Sequence, residues 1–251
     1  MSFHVIIPAR YASSRLPGKP LADICGQTMI ERVWRQAKLS AAATVTVATD
    51  DQRIFDLVKS LGADVVMTAA GHPSGTDRLA EAIGKLGLAD DAVVVNVQGD
   101  EPLIPPQVIN QVAGNLKQRP DYSMSTLCEP ITDIESMFNA NAVKVIADKS
   151  GKAIYFSRAS IPWNRDGFSS TEKSMAQDSL AARHIGIYGY RAGFVRQFIQ
   201  WGACQLEMLE SLEQLRAIYH GKSIHVETAC AEIPPGIDSP EDLEYVRSLL
   251  S

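Results

Sequence analysis

The chain has 251 residues, 45% of them hydrophobic and 21% charged, with a formal net charge of −5 at pH 7. That length suits one large α/β domain, or one domain with a sizeable excursion. The acidic balance gives no general reason to expect nucleic acid or an anionic membrane as partner, and no stretch reaches the roughly 18 apolar residues of a membrane span.

The N-terminal run Phe3-His4-Val5-Ile6-Ile7 reads as a buried strand. It leads directly into Pro8-Ala9-Arg10-Tyr11-Ala12-Ser13-Ser14-Arg15-Leu16-Pro17-Gly18-Lys19-Pro20, which carries three cations, two hydroxyl-bearing serines and no acid. A cationic loop at the carboxyl end of the first strand of an α/β sheet lies where such folds bind ligands. Arg10, Arg15 and Lys19 together suit a triphosphate, the arginines by forked hydrogen bonds and the lysine as a point charge. Gly18-Lys19-Pro20 is not a Walker loop, because the first glycine is missing and a proline replaces the hydroxyl residue that would hold Mg²⁺. No Gly-x-Gly-x-x-Gly follows the strand, so a dinucleotide fold has no support there.

The pattern then predicts a helix over 29–39, a strand over 44–48 ending at Thr49-Asp50-Asp51, a helix over 51–61 stopped by Gly62, and a short strand over 65–67. A helix over 77–86 follows Ser74-Gly75-Thr76-Asp77-Arg78, whose hydroxyls fit either a polar ligand at a helix start or a simple N-cap at Thr76. Val93–Val97 is the most strand-like run of the chain, and a helix follows over 106–117. Strands alternating with helices argue for a mostly parallel sheet with helices on both faces.

The second half is less regular. Strands are expected over 123–127, 142–146 and 185–190, interrupted by an irregular stretch at Tyr155-Phe156-Ser157-Arg158. Residues 164–182 read as a polar surface loop, 192–201 and 207–219 as helices, 224–227 as a strand, and 240–250 as a terminal helix. One domain results, 1–251, with an antiparallel extension over about 123–225 that covers or completes the site.

Within this frame, Asp100 in Gln98-Gly99-Asp100-Glu101-Pro102 stands at the carboxyl edge of a central strand. There a carboxylate can hold Mg²⁺, which takes few protein ligands and completes its shell with phosphate oxygens. Gly99 lets the backbone approach a ligand. A capping or turn role for Asp100 or Glu101 is the competing reading. In Gly236-Ile237-Asp238-Ser239-Pro240-Glu241-Asp242, capping explains Ser239, Pro240, Glu241 and Asp242, and leaves Asp238 as the second metal candidate. Arg158, Arg183, His184 and Tyr188 could grip a carboxylate and hydroxyls of a small acid, although a surface salt bridge suits Arg183 and core packing suits Tyr188. Glu213 and Gln214 fall on an amphipathic helix whose default is solvent exposure. Serine hydrolase and zinc readings fail: there is no Gly-x-Ser-x-Gly or His-Glu-x-x-His, and the five histidines lack metal-ligand spacing. The N-terminus shows no secretion-signal pattern, and Cys25, Cys128, Cys204 and Cys230 form no C-x-x-C pair. They read as reduced, mostly buried thiols of a cytoplasmic protein.

Taken together, these blocks resemble the 3-deoxy-manno-octulosonate (Kdo) cytidylyltransferases over essentially the full length. The stretches that carry the resemblance are Ile7–Leu21, Ser74–Arg78, Asn96–Pro102, Tyr155–Arg158, Arg183–Tyr190, Leu212–Arg216 and Gly236–Leu243. The resemblance implies a Rossmann-like α/β nucleotidyltransferase fold, Mg²⁺ dependence, a homodimer, and synthesis of CMP-Kdo from CTP and Kdo in a Gram-negative envelope pathway that makes lipopolysaccharide. Carried over by position, Arg10, Ser14 and Lys19 would hold the triphosphate, with Arg15 near the reacting phosphate. Ser74 and Arg78 would seat the nucleotide, and Asp100 and Asp238 would hold Mg²⁺. Gln98, Arg158, His184, Tyr188, Glu213 and Gln214 would bind the sugar acid. A cytidylyltransferase for 8-amino-Kdo or a sialic acid is the nearest rival. A sugar-1-phosphate nucleotidyltransferase or a non-catalytic nucleotide-binding module stands further off.

Overall fold

The computed structural model describes residues 2–12, 16–176 and 178–250. Its strands are β1 (Phe3–Ala9), β2 (Asp23–Ile24), β3 (Gln27–Thr28), β4 (Thr44–Thr49), β5 (Asp64–Met67), β6 (Val93–Asn96), β7 (Met124–Pro130), β8 (Lys144–Ala147), β9 (Ala153–Ser157), β10 (Ala182–Arg191) and β11 (Ile224–Thr228). Its helices are α1 (Met29–Lys38), α2 (Gln52–Ser60), α3 (Gly75–Lys85), α4 (Pro106–Gln118), α5 (Ile134–Phe138), α6 (Arg165–Phe168), α7 (Ala192–Gln200), α8 (Gln205–Glu210), α9 (Leu215–Tyr219) and α10 (Pro240–Leu250).

The main sheet runs β11-β7-β10-β6-β1-β4-β5, with β8 paired to β10 and β9 to β8. Strands β6, β1, β4 and β5 are mutually parallel, whereas β10 enters antiparallel between β6 and β7. Strand β1 is therefore interior, and its side chains alternate between two cores. Val5 and Ile7 pack with Ile30, Val33, Val108 and Val112 on one face, while Ile6 joins Val94, Leu79, Ile83 and Phe198 on the other. Each fully buried aliphatic side chain of this kind stabilises the fold by roughly 1.5–3 kcal/mol. The arrangement is the expected mostly parallel α/β architecture, and it brings the carboxyl ends of β1, β4 and β6 to one edge.

Helix ends follow the local chemistry. Asp51 caps α2 by accepting from the Arg53 amide at 2.9 Å, and Gly62, with φ 71°, closes it in the left-handed conformation glycine favours. In α10, the Ser239 hydroxyl accepts from the Asp242 amide, and the Asp242 carboxylate accepts from the Asp238 and Ser239 amides. That reciprocal cap leaves the Asp238 side chain to another partner.

Several expectations need correction. Helix α3 starts at Gly75 under a Ser74 cap rather than at Asp77 under Thr76, because the Ser74 hydroxyl accepts both the Thr76 and Asp77 amides. Tyr155–Ser157 is not irregular: it belongs to β9, whose one-sided pairing to β8 blurs the alternation in sequence. The helix expected over 207–219 is two helices, α8 and α9, broken where Ser211 adopts φ 51° and the Leu212 amide returns to the Glu207 carbonyl. Glu213 and Gln214 therefore lie in a break, and Gln214 is buried. The segment 164–182 contains α6, and its Phe168 is buried against Ile131, Met137 and Ala181. Of the four cysteines, Cys204 is buried, Cys128 is half-buried, and Cys25 and Cys230 are exposed. Among the described residues, no helix is long and apolar enough to cross a membrane.

Candidate active site

The carboxyl edge of β1 and β6 opens onto a cavity of about 330 Å³ lined by polar side chains. Arg10 lies just past β1 and lines it, as do Lys19, Ser74, Arg78, Gln98, Asp100 and Asp238. Seven predicted site residues thus meet at one place, although they span more than two hundred positions of chain. Ser14 and Arg15 lie outside the described residues.

Lys19 organises the floor. Its ammonium donates to Asp100 Oδ2 at 2.7 Å and to Asp238 Oδ1 at 3.0 Å. The two oxygens are consequently no farther apart than those distances placed end to end. Lys19 is buried in a single turn of 3₁₀ helix, Lys19–Leu21, that follows Gly18 at φ 71°. Tyr11 fixes that turn from the other side. Its carbonyl accepts from the Gly18 amide at 3.2 Å, and its ring carries the Arg53 guanidinium 3.5 Å from the centroid. A cation already sits between the carboxylates, and the donors are hard oxygens, so the pair fits a divalent cation such as Mg²⁺ in charge and chemistry. Among the described residues, no group of three or more His, Cys, Asp or Glu side chains is placed to hold a metal. Most of any cation's shell would therefore come from water and ligand oxygens.

Gly99 is required for a reason the sequence did not reveal. A Cβ there would lie 2.6 Å from the Pro8 carbonyl oxygen, so the close approach of the two strand ends by itself requires glycine, at a position that also lines the cavity. The neighbouring Glu101 is enclosed. Burial, with the Asp100 charge adding to it, pushes its carboxyl up to about 8, and its Oε2 has no partner among the described residues.

Arg78 is 3% exposed, and its guanidinium is held by Asp50 Oδ2 at 2.9 Å and by the Thr68 hydroxyl. Sequence reading placed Asp50 only as part of a helix cap. The available signal was its position at the carboxyl end of β4 beside Asp51, which alone suffices for the cap. His72 also lines the cavity and went unnoticed, as did its partner Glu81.

The remaining candidates lie beyond this cavity, in the region contributed by the second half. Glu213 reaches the cavity wall, since it accepts from the Ser74 hydroxyl at 3.0 Å and the Thr76 hydroxyl at 2.6 Å. Burial pushes the Glu213 carboxyl up, against the opposing pull of those hydroxyls and Arg216. Beside it, Gln214 Nε2 is buried without a hydrogen-bond partner among the described residues. Tyr188 packs against His184 and Tyr190, with ring centroids 5.3 and 5.8 Å away. Thr126 spends its hydroxyl hydrogen on the Ile185 or Ile187 carbonyl, so His184 Nε2 donates to Thr126 Oγ1 at 3.0 Å and Nδ1 remains an acceptor. Burial, reinforced by Arg183, depresses the imidazole to about 3, so it stays neutral. Arg158 donates to the Glu210 and Ala140 carbonyls, capping the end of α8, and Arg183 pairs with Glu129 at 2.6 Å on the surface.

A cytidylyltransferase family model matches residues 4–224. The 3-deoxy-manno-octulosonate cytidylyltransferase of Pseudomonas fluorescens (strain Pf-5) is 56% identical over 99% of this chain and 98% of its own length. That of Alcanivorax borkumensis is 56% identical over 100% of this chain and 99% of its own. The chain belongs to this cytidylyltransferase family. Among solved structures it is similar to a CMP:2-keto-3-deoxy-manno-octonic acid synthetase complexed with CTP, with a TM-score of 0.90 and 38% identity over 100% of this chain and 98% of that one. A cytidylyltransferase from Leptospira borgpetersenii, 17% identical at a TM-score of 0.63, shares the fold. Membership in the family accounts for the full-length agreement in fold.

Proposed function

We propose that this protein transfers CMP from CTP to the anomeric hydroxyl of Kdo, giving CMP-Kdo and pyrophosphate for lipopolysaccharide synthesis. One observation supports it above the others. The Lys19 ammonium sits between two carboxylates in a cavity that also presents Arg10, Arg78 and Gln98. The relatives named above are Kdo enzymes, and a structure similar to this one was determined with CTP.

In the reaction, the sugar hydroxyl oxygen forms a bond to the α-phosphorus, the bond from that phosphorus to the pyrophosphate oxygen breaks, and the hydroxyl proton leaves to solvent. Such phosphoryl chemistry needs positioning and charge stabilisation more than covalent help. Arg10 and Lys19 balance the negative charge that builds on the α-phosphate and the leaving group, with Ser14 and Arg15 from the same loop assisting. Ser74 and Arg78 seat the nucleoside. Asp100 and Asp238 would hold Mg²⁺, which when bound neutralises phosphate charge and acidifies the attacking hydroxyl. Gln98, Arg158, His184, Tyr188, Glu213 and Gln214 receive the sugar acid. In this reading His184 contributes an uncharged acceptor and Glu213 a carboxyl whose burial raises its pKa. The whole chain acts as one nucleotidyltransferase domain, cytoplasmic and homodimeric, with about 123–225 supplying sugar binding and dimerisation.

A pyrophosphate-release assay across four nucleoside triphosphates and a panel of sugar acids, with and without Mg²⁺, tests this reading. Release with CTP and Kdo, dependent on the metal, is the expected result. Preference for 8-amino-Kdo or a sialic acid would reassign the substrate, and CTP binding without release would leave only a nucleotide-binding module.

A further inference from the structure

The segment between β5 and α3 forms one wall of the cavity, through His72, Pro73 and Ser74. Among the described residues, 69–73 make no backbone–backbone hydrogen bond outside helices and strands. Its two ends are secured, because the Thr68 amide and hydroxyl both donate to the Thr49 carbonyl and Ser74 caps α3. Between them, the wall is tied by a side chain. Glu81, nearly two turns along α3, accepts from the Ala69 amide at 2.8 Å and from His72 Nε2 with the same oxygen, Oε2. Its other oxygen pairs with Lys85 at 2.9 Å.

We propose that Glu81 is a positioning residue for the nucleotide site: it clasps the loop 69–73 onto α3 and so fixes His72 and the Ser74 wall against the bound nucleoside. This inference rests on the functional reading above, since it assigns that wall to CTP. Three features carry it. Among the described residues the loop's middle makes no other hydrogen bond, so removing the carboxylate loosens it. Because Glu81 accepts the His72 Nε2 proton, the ring is held in one orientation at the cavity wall. Burial pushes the Glu81 carboxyl up, but Lys85, the Ala69 amide and His72 outweigh it and bring it down to about 2, so the clasp stays charged in any working buffer. A plain i,i+4 surface pair between Glu81 and Lys85 would be worth only about 0.3–0.5 kcal/mol and would not concern the ligand.

The two roles separate by experiment. Glu81→Ala and the isosteric Glu81→Gln are titrated calorimetrically with CTP and Mg²⁺, and the KM for Kdo is taken from pyrophosphate release. The clasp predicts a CTP dissociation constant raised about five- to tenfold in Glu81→Ala, less in Glu81→Gln, with the KM for Kdo nearly unchanged. Lys85→Ala, which removes the surface pair and the Lys85 bond to the Met67 carbonyl at the end of β5 but leaves the Ala69 and His72 contacts of Glu81, should keep the CTP constant close to the wild type. In a His72→Ala background the Glu81→Ala effect should shrink, because the two residues act as one unit. An unchanged CTP constant in both Glu81 variants overturns the proposal, as do full additivity with His72→Ala and an equal rise in both substrate constants with a lower Tm. If Glu81→Ala does not fold, Glu81→Gln decides. A wild-type protein that binds CTP yet releases no pyrophosphate would sink the functional reading and leave the Glu81 assignment to be judged on dissociation constants.

Discussion

Replacing Lys19 by methionine keeps the aliphatic stem and deletes the charge at the centre of the site. In the structure that charge faces Asp100 and Asp238, whose side chains are 33% and 52% exposed. Solvent screens both pairs, so their contribution to folding should be no more than about 1 kcal/mol each. The ligand term is larger. A charge-assisted contact to a phosphate oxygen is worth about 1.5–3 kcal/mol, which converts to roughly 10- to 150-fold in affinity. Two carboxylates that have lost their ammonium partner also repel the incoming triphosphate, which acts in the same direction. Calorimetric titration of CTP with Mg²⁺ at fixed ionic strength should therefore show a dissociation constant at least about tenfold higher, with Tm little altered. The companion variant Asp100→Asn, titrated with CTP in the absence of metal, should bind no more weakly than the wild type, because it removes a negative charge facing a polyanion. Retained CTP affinity in a folded Lys19→Met protein would refute the reasoning, since among the described residues no other buried cation links the loop to both aspartates.

With Mg²⁺ present, Asp100→Asn should lose pyrophosphate release by at least about two orders of magnitude while keeping the wild-type circular dichroism spectrum, the loss expected when charge stabilisation is removed; wild-type turnover would remove the metal assignment. Gly99→Ala forces a Cβ to 2.6 Å from the Pro8 carbonyl oxygen, so strand ends must part. The expected cost is about 1–3 kcal/mol, read as a Tm lower by several degrees together with weaker CTP binding, and an unchanged Tm would show that the strand ends part freely. His184 is neutral in the fold, with its imidazole near 3 against an ordinary value of 6.5. The unfolded chain then binds the extra proton as pH falls, so stability is lost on going from about 6.5 towards 3. Between pH 7.5 and 5.5 that loss is about 1.4 kcal/mol. Urea unfolding of His184→Gln should show a pH dependence flatter by that amount, and an identical slope would mean the ring is protonated in the folded protein.

The first half of the chain was legible because its signals are local. β1 and β6 are interior strands that read as nearly continuous apolar runs, β4 reads as a β-branched run, and Asp51 and Gly62 mark the ends of α2 where capping chemistry requires them. The cationic loop and Asp100 stood out because strand order in such sheets directs both to one edge. Asp238 emerged by elimination, once Asp242 was assigned to the cap it makes. The misreadings have a common cause in tertiary context. β9 pairs on one side only, and the break at Ser211 depends on a backbone conformation that serine seldom signals. Long-range partners were invisible as well. Nothing local ties Asp50 to Arg78, Glu81 to the loop before its own helix, or Glu213 to the hydroxyls of Ser74 and Thr76. The second-half candidates illustrate the limit further. Local sequence does not show that the Arg158 guanidinium also donates to the Glu210 and Ser211 carbonyls at the end of α8.

The most direct measurement is anomalous diffraction from crystals grown with CTP and Mn²⁺, with the sugar acid withheld so that no turnover occurs. A manganese peak bridging Asp100 and Asp238, with the triphosphate laid against Arg10 and Lys19, is the predicted result. A peak on other ligands, or a triphosphate lying away from Lys19, would contradict it.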